Sequence, residues 1–295
     1  MSDDRVAVLG LGTMGRAFAV NLAATGFAVS GYNRTRCADM EELALPVSTV
    51  AATAVAGAGV VIVMLTDAAA TTAVLLAPQT LEALEPGAIV VNTATIGVAE
   101  VGELARALAA ARPDLVFVDA PVSGSKVPAE QGAVTILASS DADDEMLRAR
   151  LAPVFDAIGR RTVWLGPTGA GSAMKIVVNT WLVHVMQGIA ETALLADRLG
   201  IDPQAIADTL SGGPLDTPYA AAKLRKIGSG DHSTEMALSL GAKDARLAVE
   251  AGAGLDLPVS ELIAALWSEA AASGTPLAGQ DVSAIYTALH DRSIA

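Results

Sequence analysis

The sequence predicts an α/β N-terminal half, built on a doubly wound and mostly parallel sheet, followed by an all-α C-terminal half, with one long helix joining the two. Three observations carry this. Short apolar runs alternate with amphipathic stretches up to about residue 165, the pattern of repeated strand–helix units. Beyond Gly200 only helical periodicity remains. Between the two lies Gly169 to Gly200, GAGSAMKIVVNTWLVHVMQGIAETALLADRLG, which has no internal proline. Read as helix after Ser172, its roughly thirty residues span about 45 Å, more than twice the usual helix length. Ile176, Val177, Val178, Trp181, Leu182, Val185, Met186 and Ile189 make its middle apolar on nearly every side, so it is expected to be buried. Lys175 and Asn179 interrupt that run; four residues apart, they share one face. His184 lies about half a turn round and points away from them.

The chain opens with Arg5 to Leu9, a short apolar strand, then Gly10-Leu11-Gly12-Thr13-Met14-Gly15 and an alanine-rich helix to about Thr25. A GxGxxG between strand and helix is the context in which that motif binds a dinucleotide. Gly10 permits the tight turn, Gly12 lets a pyrophosphate approach the backbone, and Gly15 lets helix and strand pack closely. The helix start offers free N–H groups to phosphate. The N-terminal half is therefore read as a Rossmann domain. Its second strand, Ala28 to Tyr32, ends at Asn33-Arg34-Thr35, with Arg36 following. An acidic residue at this position would bind a ribose hydroxyl and repel a 2′-phosphate, whereas a guanidinium binds that phosphate in a fork. The sequence therefore points to NADP(H).

Val60 to Leu65 is the next strand, ending in Thr66-Asp67, with Asp67 either a pocket rim or a helix cap. Ala88 to Val91 ends in Asn92-Thr93-Ala94-Thr95, and Leu115 to Val118 precedes Asp119-Ala120-Pro121-Val122-Ser123-Gly124-Ser125. Helices are expected within Thr71 to Leu84, over Val98 to Ala111 and over Asp141 to Ile158, and strands over Ala133 to Ala138 and Thr162 to Leu165. The Gly10 turn, Arg34, Leu65 with Thr66, Thr95 and Ser123 then fall at the carboxyl ends of strands, where ligands lie in a doubly wound sheet. Gly166-Pro167-Thr168-Gly169 is a break, which sets the domains at 1–167 and 168–295. Later helices are expected over Pro203 to Leu210, Tyr219 to Ile227, Met236 to Ala253, Val259 to Ser273 and Val282 to Leu289.

The 295 residues carry a formal net charge of −13, which argues against nucleic acid or an anionic membrane as partner. Cys37 is the only cysteine, so no intrachain disulfide forms, in keeping with a cytoplasmic location. MSDDR at the start has no signal-peptide pattern. The most apolar stretch, Val50 to Leu65, is broken by Gly57 and Gly59 and is shorter than the roughly 20 residues a membrane span needs. His184, His232 and His290 show no ligand spacing, so no metal is expected. Trp164, Trp181 and Trp267 are expected in a core or an interface.

GLGTMG, NRT after the second strand, DAPVSGS, GAGSAMKIVVN and GAKDARLA, in this order and spacing, together resemble the β-hydroxyacid dehydrogenase family, which includes 3-hydroxyisobutyrate dehydrogenases. The likeness covers nearly the whole chain and is greatest to the NADPH-dependent glyoxylate and succinic semialdehyde reductases. The resemblance implies that Lys175 is the catalytic lysine, with Asn179 one turn on, and that Lys243 lies near cofactor and substrate. It implies that Thr95 contacts the cofactor, that Ser123 and Gly124 hold the substrate's acid group, and that the helical half forms a homodimer or homotetramer. Where that branch carries a phenylalanine seven residues before the second lysine, this chain has Met236. It also has Ala245 where the family carries a larger residue, and both changes leave room for a bulkier aldehyde or ketone.

The chemistry is sensible on its own terms. Hydride arriving at a carbonyl carbon leaves negative charge on oxygen, and a positioned ammonium donates the proton it needs. Free lysine titrates at about 10.4, and burial and a second cation are expected to lower that value. Asn179 holds the amine or the oxygen by hydrogen bonds. Asp244 reads as a surface partner for an arginine. Imine reduction is an alternative that Lys175 counts against, since imine reductases usually place another residue there. A non-catalytic dinucleotide-binding protein is a more distant one.

Overall fold

The computed structural model describes residues 5–35, 43–272 and 274–294; Arg36 and Cys37 lie outside them. The chain divides into two compact units, Met1–Lys175 and Ile176–Ala295.

In the first unit, β1 (Arg5–Leu9), β2 (Ala28–Tyr32), β3 (Val47–Ser48), β4 (Val60–Val63), β5 (Ile89–Asn92) and β6 (Val116–Asp119) form one sheet in the order β3-β2-β1-β4-β5-β6. Every pairing in it is parallel. Strands covered on both faces need continuous apolar runs, and VVIV in β4 and IVVN in β5 are buried throughout. Alternate side chains serve opposite layers. Val6, Val8 and Ile62 join Phe18 and Leu22 in one core, while Ala7, Leu9, Val61 and Val63 join Leu104 and Leu108 in the other. Helices therefore cover both faces, as expected. The register sets Tyr32, Leu9, Val63, Asn92 and Asp119 in one row across the sheet, so the carboxyl ends of five strands are flush.

A second sheet joins β7 (Val122–Ser123), β8 (Val134–Ala138) and β9 (Gly159–Trp164), β7 running antiparallel and β9 parallel to β8. Ser123 therefore sits in a strand opposite Thr135 rather than in an open loop; two residues are too few to show a period. The region Thr71 to Leu84 holds the end of helix Ala68–Leu75 and then Pro78–Ala83, because Pro78 starts a new helix. The helix expected from Asp141 begins at Glu145, capped by the Asp144 carboxylate on the Leu147 amide. Asp67 resolves as a cap, accepting from Ala70 N at 2.8 Å.

The long helix runs Ala170–Arg198. In the second unit it accompanies helices Pro203–Leu210, Pro218–Ser229, Leu238–Ala251, Pro258–Ala270 and Ile285–Ile294, the last entered through a short 3₁₀ turn. Val183, Met186, Ala190 and Ala193 face the unit's core with Leu224, Ile263 and Trp267. The expectation that the helix is buried all round fails here. Val177, Trp181, Leu195 and Leu199, on the opposite side, are 60–72% exposed, because the unit's own helices cover only one face. Ala245, expected to widen a pocket, belongs to the buried core, so its small size bears on packing. His184 bonds Ser260 and His232 bonds Ser283 and Thr287, both structural pairings. Among the described residues no helix is long and apolar enough to cross a membrane.

Trp267 is fully buried, its Nε1 donates to Gln187 Oε1 at 2.8 Å, and its ring lies where a Cβ on Gly241 would stand, 2.6 Å from Cζ3. Trp267→Ala both opens a cavity and leaves Gln187 without its donor. It is expected to lower stability by about 3–5 kcal/mol, read from urea unfolding.

Candidate active site

Most of the first-unit residues that the sequence names as candidates follow its row of strand ends. Gly10 N donates to Tyr32 O at 2.8 Å, and the turn it begins has φ +100°, a region open to glycine. A Cβ on Gly10 would collide with the Met64 carbonyl, and one on Gly15 with the Gly10 carbonyl. These two glycines are demanded by the protein's own backbone. Gly12 differs, since a Cβ there would meet no protein atom within 4 Å. Its place at the N-cap of helix Thr13–Ala24, which has no side-chain cap and no acidic residue in its first turn, fits the approach of a phosphate to free N–H groups. Leu11 is buried, Thr13 is exposed and Met14 packs against the first core.

Asn33 follows β2 and ties this turn to the strand beside it. Its Oδ1 accepts from Leu11 N at 3.2 Å and its Nδ2 donates to Thr35 O at 2.8 Å. That leaves Arg34 exposed beyond the end of β2, the position from which a guanidinium meets an adenosine 2′-phosphate. Leu65 and Thr66 follow β4, and Thr95 follows β5 by three residues. Ser123 and Gly124 follow β6, Gly124 at φ +148°. Apart from Lys175, the first-unit residues expected in the site thus lie within a few residues of one row.

Asp119 ends that row, and sequence reasoning gave it no role. Its buried carboxylate accepts from Ser172 N and Ser172 Oγ, both at 2.8 Å, and at longer range from Ser139 Oγ (3.3 Å) and Asn92 Nδ2 (3.5 Å). Ser139 Oγ in turn accepts from Gly171 N at 2.9 Å. Burial pushes the Asp119 carboxyl up from its ordinary value, while the bonds from Ser172, Asn92 and Ser139 pull against it. Lys175, 9% exposed, follows Ser172 by three residues on the same helix.

Asn179, Lys243 and Met236, also named as candidates by the sequence, belong to the second unit, as does Asp244. Asn179 Nδ2 donates to Asp244 Oδ2 at 2.6 Å, both residues buried. With its amide nitrogen so engaged, Asn179 presents its carbonyl oxygen as an acceptor. Asp244 is therefore no surface partner of an arginine. Arg246 bonds Ser268 instead, and Asp244 Oδ1 lies 3.5 Å from Lys243 Nζ. The signal for this was in the helix Leu238–Ala251, whose apolar inner face includes position 244. Met236 is half-buried, and its N–H donates to Asp281, a carboxylate that also holds the buried Lys223 at 2.8 Å.

The chain is similar to known proteins along nearly its whole length. Residues 5–166 match the family described as the NAD-binding domain of 6-phosphogluconate dehydrogenase. Residues 169–289 match the family described as NAD-binding of NADP-dependent 3-hydroxyisobutyrate dehydrogenase. Glyoxylate/succinic semialdehyde reductase 1 of Arabidopsis thaliana is 31% identical over 289 residues, covering 96% of this chain and 98% of the relative. L-threonate dehydrogenase of Escherichia coli K12 is 31% identical over 290 residues, 96% and 94% of the two chains. The crystal structure of a 3-hydroxyisobutyrate dehydrogenase from Salmonella typhimurium superposes with a TM-score of 0.84 at 27% identity, covering 96% of this chain and 99% of that one.

The two kinds of glycine make a direct test. Gly12→Ala is expected to leave thermal stability unchanged while weakening nicotinamide dinucleotide binding by about tenfold or more, measured by fluorescence titration. Gly15→Ala, which drives a methyl into the Gly10 carbonyl, is expected to lower the melting temperature as well.

Proposed function

The chain belongs to the β-hydroxyacid dehydrogenase family, and we propose that it reduces a small aldehyde or keto acid to the hydroxy acid with NADPH, running in reverse as a β-hydroxyacid dehydrogenase. The observation that carries the reading is a lysine buried on a helix whose first turn is fastened to the carboxyl end of β6. A bound nicotinamide dinucleotide supplies the hydride. The residues of this chain do the rest. As negative charge develops on the carbonyl oxygen, the Lys175 ammonium donates a proton to it and is left as the neutral amine. In the reverse direction that amine accepts the hydroxyl proton. Asn179, held by Asp244, offers its amide oxygen to keep the ammonium in place. Ser123, with the Gly124 backbone, would hold the substrate carboxylate, and Lys243 and Met236 are assigned to the substrate as well.

The proposed division of labour gives residues 1–167 to the cofactor and 168–295 to substrate and assembly. Gly10 to Gly15, Asn33 to Thr35, Leu65, Thr66 and Thr95 would hold NADP(H). Arg34 would choose it over NAD(H) by pairing with the 2′-phosphate. The exposed apolar stripe of Val177, Trp181, Leu195 and Leu199 supports a homodimer or homotetramer formed through the helical unit, and a cytoplasmic location is proposed with it.

NADPH oxidation with a panel of aldehyde acids, 2-oxoacids and cyclic imines tests the reading. Turnover of aldehyde acids is expected, with kcat in Lys175→Ala falling by about 10²–10⁴-fold, the usual contribution of a general acid. Turnover of imines alone, or equal turnover in Lys175→Ala, would contradict it. Arg34→Ala is expected to raise KM for NADPH by about tenfold or more and leave NADH unchanged. Equal wild-type rates with both cofactors would remove Arg34 from the account.

A further inference from the structure

We propose that Asp119 is a positioning residue that sets where the Lys175 ammonium stands, acting through the first turn of the long helix; this rests on Lys175 being the proton donor. An α-helix leaves its first N–H groups without partners inside the helix, and a serine, threonine or aspartate just before the helix ordinarily takes one of them. Here the partners come from far away in the chain. Asp119, 53 residues earlier, accepts from Ser172 N and Ser172 Oγ, and Ser139, 32 residues earlier, accepts from Gly171 N. Ser139 and Asp119 are themselves joined by a backbone bridge, with Ser139 N donating to Asp119 O at 2.7 Å and Asp119 N to Ser139 O at 2.9 Å.

The consequence is geometric. The Ser172 N–H goes to one carboxylate oxygen and the Ser172 hydroxyl to the other. Two bonds from one residue to two fixed oxygens restrain the helix against both sliding and turning about its axis. Asp119 ends β6, in the flush row of strand ends beside which the Gly10 turn begins. Gly171 lets the helix come this close, since a Cβ there would collide with the Leu137 carbonyl and stand 3.0 Å from the Asp119 carbonyl. Lys175 is four residues from Gly171 and three from Ser172, hence one turn on and on the same face. A negative charge at a helix N-terminus is also favourable. A local cap would satisfy the N–H groups equally well but would not tie the lysine's helix to the sheet. An error of about 1 Å at a reacting group is enough to cost on the order of a hundredfold in rate.

A double-mutant cycle decides it. Asp119→Asn, Lys175→Ala and the double variant are assayed for kcat and KM with an aldehyde acid, and for the Kd of NADPH by fluorescence. Asp119→Asn is expected to lower kcat by about ten- to a hundredfold while KM and Kd stay within about twofold, and to cost nothing further in the Lys175→Ala background. Wild-type kcat in Asp119→Asn would overturn the proposal. So would an equal loss in both backgrounds, the result expected of a residue that only supports the fold, or a loss confined to KM and Kd. If Asp119→Asn does not fold, Ser172→Ala removes one hydroxyl from the same carboxylate and is carried through the same cycle. Its loss is expected to be smaller, about three- to tenfold, and again absent without Lys175. Full activity in Lys175→Ala alone would show that the proton-donor reading has failed, and the proposal with it. That outcome is visible without any Asp119 variant.

Discussion

The buried carboxylate of Asp119, bonded twice to Ser172, is the interaction on which the arrangement of the first unit's chemistry depends. It stands where two requirements meet. The parallel sheet aligns five strand ends in one row, and a helix that starts over that row has N–H groups that need partners. Removing a carboxylate from water is costly unless its oxygens are satisfied. Here the helix start and Asn92 supply the bonds, so the sheet's need and the helix's need cancel. The same few atoms thereby fasten the first turn of the long helix to the sheet.

Much of this was legible beforehand, for reasons that are local. Gly10, Gly12 and Gly15 sit between an apolar run and an amphipathic one, and the spacing announces a strand, a turn and a helix start. Strands such as VVIV and IVVN are buried on both sides and so read as continuous apolar runs. Lys175 and Asn179 stand out because they are polar within an apolar helix. What was not legible depends on partners distant in sequence. Asp119 looks like any aspartate at a strand end until Ser172 is seen against it. Asp244, beside Lys243 in the sequence, was read as a surface residue, whereas the helix turns it inward to Asn179. β7 is too short to carry a period, and its place is set by β8. Whether Trp181 belonged to a core or an interface stayed open, because an apolar face looks alike whether its own chain covers it or not; its own chain leaves it exposed.

The contacts that hold the candidate residues differ in kind between the two units. In the first unit the backbone does most of the work. Gly10 and Gly15 are fixed by carbonyl contacts, Asn33 bonds the Leu11 amide, and the site is a rim of turns. In the second unit side chains hold one another, Asn179 to Asp244 and Lys223 to Asp281, within a helical core centred on Trp267.

The proposed chemistry stands on Lys175 transferring the proton that accompanies the hydride. A crystal structure with NADP⁺ and a bound hydroxy acid measures this directly. The Lys175 nitrogen is expected within hydrogen-bond reach of the hydroxyl oxygen, roughly 2.6–3.2 Å, with the carboxylate of the acid on Ser123 and the Gly124 backbone. A hydroxyl oxygen held by another residue, with Lys175 out of reach, would contradict it.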